Sequence, residues 1–448
     1  MFLFVCFAAL YQASLLVRLV SVMPIYNPID EMYHYDYALK ISEGIPRSSM
    51  LMHPMILLSN RQYGFPSVYY FLYPSFKEKD FHPDANHFKV NDQMYQHPPL
   101  YYKLTSFFIS PKLSPLTQII NVHSLRLVGV IIFLLGGLLW AAGLSRLLGK
   151  DRMNFLLLLM LWSWTPADLF RYSNDMGVYL FSGVTVYAYS LTRREEGNKN
   201  LWLSLLLGIC LAACAWTKYN LIYLFIPCIC AGRLWDHIHV AYHAHEKNLG
   251  SPLWKKTIQS SLLDPALGIC ILSLLGLRIF EKMQLNRLVS GETPAWVSYF
   301  LGHSHRLLFG AVIWLGRVVA FNIPLSVTKF FLCLFLLGAF CALVVRERDD
   351  QSGKMSPYYR KSVLFFLFAV VWMSLIQGII SFCLPWFCQG RYLIPLLPFM
   401  IALMMEGFSR LGNRYLDFSP KSLAVIVAVL WISIHSYQLH YVILSMSV

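Results

Sequence analysis

The chain has 448 residues, of which 57% are hydrophobic and 13% charged, with a mean hydropathy of +0.53 and a net charge of +14. A soluble domain carries about twice that share of charged residues, so the composition excludes an ordinary water-soluble enzyme and predicts a polytopic membrane protein. The positive excess does not call for nucleic acid, because the cytoplasmic loops of membrane proteins collect Lys and Arg.

The first apolar run, 1–23, carries only Arg18 and is long enough to cross a bilayer. It has no basic n-region and no small-x-small cleavage site, so it reads as a retained span. Directly after it comes "NPIDEMYHYDY", Asn27 to Tyr37, which sets Asp30, Glu31 and Asp36 among aromatics at the membrane edge. Carboxylates beside hydrocarbon are costly unless solvated or paired. Asn27 suits an N-cap, Pro28 a first helical position, and Gly44 with Pro46 a stop. Asp30 then either caps this helix or serves as a base, and His34 lies four residues on, on the same helical face. The spacing leaves both roles open.

Residues 24–123 form a connection too long, and too rich in Tyr, His and Pro, to be passive. Two amphipathic stretches within it, 28–42 and 99–110, are too short to span and are expected to lie at the membrane surface. The loop ends in "YQHPPLYYKL", whose prolines open a helix presenting Tyr101, Tyr102 and Lys103, with His97 just before it. This is an interfacial helix with its aromatic belt or a platform for a sugar or lipid.

Further stretches of near-spanning length fall at 124–147, 154–169, 177–192, 201–216, 219–235, 259–280, 325–345, 362–383, 392–408 and 422–444. The segment 305–324 carries Arg306 and Arg317 and closes on Pro324, which favours an interfacial helix in the outer connection 281–324. Lys and Arg gather at Arg146/Lys150/Arg152, Arg193/Arg194/Lys199, Arg233/Lys247/Lys255/Lys256, Arg346/Arg348/Lys354/Arg360/Lys361 and Arg410/Arg414/Lys421. These occupy every second connection, so the positive-inside rule predicts about eleven spans, with the N-terminus inside and the C-terminus outside. The whole chain reads as one all-α integral-membrane domain. The ten Cys lie mostly within apolar runs, where they read as small hydrophobes.

On the outer face, "FRYSNDMG" (170–177) supplies Arg171 and Asp175, "WTKYN" supplies Lys218, and "QGRYLIP" supplies Arg391. Asn174–Asp175 is also a turn signal, and Asp175 suits the cap of the next helix. A single outer Lys or Arg commonly snorkels to headgroups. Arg126, Arg171, Lys218 and Arg391 together on one face instead suggest an anion partner such as a phosphate.

In order along the chain, "DEMYH", "HPPLYY", "RLVG", "SNDMG", "TKYN" and "QGRY" resemble the polytopic glycosyltransferases of the GT-C fold. That group includes protein O-mannosyltransferases and the lipid A aminoarabinose transferase, and "QGRYLIPLLP" is nearer to their less characterised relatives. The resemblance implies a GT-C bundle that moves a sugar from a polyprenyl- or dolichyl-phosphate donor to a glycan, lipid or protein acceptor on the lumenal or periplasmic face. It makes Asp30 the candidate base, supported by Glu31 and His34, which would also hold a divalent cation if one takes part; no cofactor is required. Lys218 and Arg391, with Arg171 and Arg126, would hold the donor phosphate. His97, Tyr101, Tyr102, Asp175, Gln389 and Tyr392 would line the acceptor side. Two other readings stand beside this one: a transporter or flippase of lipid-linked glycans, and a non-catalytic subunit of a glycosylation complex. Transporters place ionisable groups mid-membrane and show repeated halves, whereas these spans hold few acids.

Overall fold

The computed structural model describes residues 2–22, 31–45, 53, 56, 59, 97–110, 114–148, 172–194, 201–247, 264–285, 325–345, 357–383, 395–415, 429 and 433. All regular elements among them are helices: α1 (Phe2–Val22), α2 (Glu31–Ser42), α3 (Leu100–Ser106), α4 (Pro115–Leu148), α5 (Asp175–Arg194), α6 (Leu201–Ala215), α7 (Tyr219–Leu224), α8 (Ile226–Lys247), α9 (Pro265–Leu285), α10 (Leu325–Val344), α11 (Pro357–Cys383) and α12 (Leu396–Tyr415). The expected spans at 154–169 and 422–444 and the interfacial segment 305–324 lie outside the described residues, save for 429 and 433.

Three helices among the described residues, Pro115–Leu148, Tyr219–His239 and Lys361–Ile380, are long and apolar enough to cross a membrane. Large apolar side chains such as Ile131, Leu135, Ile209, Leu272, Leu336 and Leu375 face outward. An exterior of this kind suits lipid better than water.

Helix α4 begins earlier than the expected 124, because Ser114 caps it and Pro115 fills its first position. The Ser114 hydroxyl accepts the Thr117 N–H at 3.1 Å. Glycines then set its packing. Gly136 and Gly143 lie seven residues apart, and a Cβ on either would come within 2.8 Å of Tyr179 or of the Tyr187 backbone on α5. Gly183 of α5 returns the fit, sitting against the Gly136 carbonyl and Trp140. Because 129, 136 and 143 meet 176, 180 and 187 in rising order, α4 and α5 run parallel with their backbones nearly touching. Pairs α6–α9 and α10–α12 are also parallel and also close over glycine, at Gly208 and at Gly338 against Gly407. Helices α5 and α6 are antiparallel, joined where Thr185 meets Cys214 at 3.2 Å.

The span expected at 219–235 is present within Tyr219–His239 but is interrupted at Phe225. α7 stops at Leu224 and α8 starts at Ile226, because Pro227 has no N–H to offer the carbonyl four residues back. That carbonyl, on Tyr223, instead accepts the Trp372 indole N–H from α11 at 3.0 Å.

Helix α2 departs from expectation. The stretch 28–42 was predicted to lie on the membrane surface, but all ten residues from Glu31 to Lys40 are buried. A surface helix leaves one polar face in water. Here each polar side chain finds a protein partner instead, so the helix packs inside the end of the bundle. In α3 the pattern is divided: Tyr101, Tyr102 and Thr105 point inward, while Leu104 and the following Phe107 and Phe108 are exposed.

Candidate functional site

Five segments meet at the α2 end of the bundle: α2, the start of α3, the first turns of α4 and of α5, and the Trp216–Lys218 turn between α6 and α7. Glu31, in the first turn of α2, is the anchor. Arg126 of α4 grips it with two parallel bonds, Nε to Oε1 at 2.7 Å and the terminal NH2 to Oε2 at 2.6 Å. The Tyr172 N–H, just before α5, adds a third bond to Oε1 at 2.7 Å. Both side chains are fully buried. Such a pair stands in a dry interior only when geometry and further bonds offset desolvation, as this fork arrangement does.

One turn on, His34 Nδ1 bonds the Tyr102 hydroxyl at 2.6 Å. The imidazole lies among stacked and tilted rings, with centroids 5.8 Å from Tyr102 and 6.3 Å from His97. Tyr37 lies 4.5 Å from Tyr102, and Tyr219 of α7 lies 6.4 Å from His97. Tyr35, on another face of α2, donates to Gln118 and accepts from Asn121 at 3.1 Å. Burial pushes its phenol well above the usual tyrosine range. Asp36 pairs with Lys40 at 2.5 Å and accepts the His53 N–H at 2.6 Å. Burial holds the His53 imidazole below the ordinary histidine value; Glu43 opposes this and Lys40 adds to it.

Around α3, the Leu100 N–H donates to the Trp216 carbonyl at 3.1 Å, which fixes the helix start to the turn. Tyr101 then stacks on Tyr172 with centroids 5.7 Å apart. Its ring lies flush on Gly177, where a Cβ would come within 2.5 Å of it. Burial, with Tyr172 and the Asp175 carboxylate nearby, drives the Tyr101 phenol well above its usual range, so it stays a neutral donor and acceptor. Asp175, the first residue of α5, forms an ion pair with Lys218, and neither side chain is more than 6% exposed.

The structure thus gathers Glu31, His34, His97, Tyr101, Tyr102, Arg126, Asp175 and Lys218 at one end of the bundle. Asp30, Arg171, Gln389, Arg391 and Tyr392 lie outside the described residues. The sequence analysis offers Arg126 and Lys218 to a phosphate, but each already holds a carboxylate. It offers Glu31 to a base or cation site, but both Glu31 oxygens are engaged by Arg126 and Tyr172. Among the described residues no three His, Cys, Asp or Glu are grouped to hold a metal ion.

Sequence reasoning passed over Asn174, reading it only as part of a turn. It occupies the cap position of α5, and its carbonyl receives the Val178 N–H at 3.0 Å. Its side chain does not cap: both the amide oxygen and nitrogen are buried without a partner, as is the Tyr101 hydroxyl. Comparison with protein-family models, characterised proteins and solved structures gave no match.

Proposed function

We propose that this chain is a multi-pass membrane glycosyltransferase of the GT-C type. It moves a sugar from a polyprenyl- or dolichyl-phosphate donor to an acceptor at the α2 end of the bundle. That end faces the periplasm or the lumen of the endoplasmic reticulum, because the opposite ends of α4, α5, α8 and α12 carry Arg146, Arg193, Arg233 and Arg410. The observation that supports the reading is the meeting of "EMYH", "HPPLYY", "SNDMG" and "TKYN" at one end of the bundle, although they are scattered along the chain.

In this mechanism the acceptor hydroxyl gives its proton to Asp30 as its oxygen attacks the anomeric carbon. The bond from that carbon to the donor phosphate breaks, and the lipid phosphate leaves with the electron pair. Glu31 is a positioning residue: clamped by Arg126, it ties the first turn of α2 to α4. Arg391 and Arg171 remain the candidates for the donor phosphate, since Lys218 is neutralised by Asp175.

The test is single-turnover transfer from polyprenyl-phosphate sugars by purified protein in nanodiscs. Asp30→Asn should insert and bind donor but lose about 10²–10⁴-fold in rate. Near-normal transfer by Asp30→Asn overturns the assignment of the base, and absence of transfer by the parent from every lipid-phosphate sugar overturns the activity.

A further inference from the structure

We propose that Asn174 and Tyr101 bind hydroxyl groups of the transferred sugar, in a subsite that selects a neutral polyol over an anion. The identity of the ligand as a sugar rests on the glycosyltransferase reading; the existence of a hydroxyl-binding subsite does not.

The first support is the pair of unmet demands. Asn174 is wholly buried and Tyr101 is 1% exposed. Among the described residues Asn174 is the one side chain with both amide atoms buried and unpartnered. Native proteins pair such groups with protein, water or ligand, because an orphaned buried amide is destabilising. The second support is that Asn174 occupies a cap position without its side chain capping. Asn at a helix cap normally accepts from the first free N–H groups, yet its Oδ1 accepts none.

The third support is placement. Asn174 and Gly177 lie within one turn of α5, and Tyr101 rests on Gly177 beside Thr217. The amide and the phenol therefore share the junction of α3, α5 and the Trp216–Lys218 turn. The fourth is electrostatic. Among the described residues, the charged side chains at that junction, Asp175 and Lys218, pair with each other. An amide offers donors and an acceptor together, and a phenol likewise offers one of each. A phosphate satisfies donors only, leaving Asn174 Oδ1 facing another acceptor. A carbohydrate hydroxyl, which donates and accepts, satisfies both.

Asn174→Leu removes both amide functions at similar volume. Its thermal midpoint should equal or exceed that of the parent, because an orphaned polar group gives way to an apolar one. The KM for a polyprenyl-phosphate sugar should rise about tenfold or more, the range expected when a buried hydrogen-bond partner is lost. Tyr101→Phe should raise KM less and leave the thermal midpoint unchanged.

Saturation-transfer NMR with methyl mannoside, methyl glucoside and myo-inositol reads the subsite without transfer, with inorganic phosphate as the anion arm. Parent binding of a methyl glycoside that Asn174→Leu abolishes supports the subsite, even if the parent transfers no sugar and the glycosyltransferase reading falls. Unchanged KM and unchanged glycoside binding in a more stable Asn174→Leu overturn the inference, leave the amide a host for water only, and leave the proposed transfer intact. Binding of phosphate in place of the polyols also overturns it.

Discussion

At the α2 end, the ion pairs are dry: Glu31 with Arg126, Asp36 with Lys40, Asp175 with Lys218. At the opposite end, two networks are partly open to solvent and tie three or four helices together, while a dry Arg410–Glu406 pair joins α12 to α10. Asp236 accepts Arg193 and the Tyr189 hydroxyl, each at 3.0 Å, while Arg193 reaches Ser362 at 3.1 Å and Ser362 donates to the Leu147 carbonyl at 2.6 Å. Asp264 accepts Arg233 at 2.7 Å and His237 at 2.6 Å, and Arg233 also reaches Ser204 at 3.0 Å. Arg410 pairs with Glu406 and donates to the carbonyls of Ala342 and Val345 near the end of α10. There the cations cap helix C-termini and bind neighbours, the usual service of basic residues at that position. That end is a frame. The α2 end holds two unsatisfied neutral groups, Asn174 and Tyr101, to which the proposed subsite assigns a partner.

The comparison breaks most readily at Arg126. Arg126→Ala leaves Glu31 charged in a dry interior and should destabilise the protein by about 3–5 kcal/mol. Glu31→Met combined with Arg126→Met should recover most of that loss, and a double-mutant cycle by thermal unfolding in detergent measures the coupling. An additive result would show that the two side chains are not coupled. Next in size, Gly143→Leu forces a side chain into the α5 backbone and should cost about 1–3 kcal/mol, read as a lower unfolding midpoint. A neutral outcome there would mean that α4 and α5 are not in backbone contact. Arg193→Ala at the frame end, where solvent reaches Asp236, should cost less than Arg126→Ala by the same measurement.

The smallest effect is in pH, at the α2 end. His53 lies below the ordinary histidine value when folded, so the unfolded chain takes the proton first. Stability from this group is therefore full above about pH 6.5 and falls as pH drops through and below that value. Proteolysis against pH should thus show the α2 end loosening, and His53→Gln should remove the difference between pH 7 and 5.5.

Much of the frame was legible in the sequence, because apolar length and Lys/Arg placement report directly on helices and their ends. α1 at Phe2–Val22 and α10 at Leu325–Val344 fall within a residue of the apolar runs 1–23 and 325–345. The break after Leu224 was not foreseen, although Pro227 announces it, because hydropathy is blind to a missing N–H. The site was legible as residue types but not as partnerships. Glu31 and Arg126 are separated by 95 positions, and nothing local tells a carboxylate that its counterion arrives from another helix. The burial of α2 was hidden for the same reason: an apparently amphipathic helix becomes interior once Glu31, Tyr35 and Asp36 each find a partner.

The glycine contact between α4 and α5 has a mechanical consequence. Where backbones touch, no rotamer change can lengthen or shorten the gap, so the two helices act as one stiff beam. Arg126 and Asp175 project from the same end of that beam, and their separation is fixed for the life of the fold. Across from it, α2 and α3 rest on side chains such as Tyr35, Tyr101 and His34. In the proposed transfer, the beam would keep Arg126 and Asp175 in register at that end.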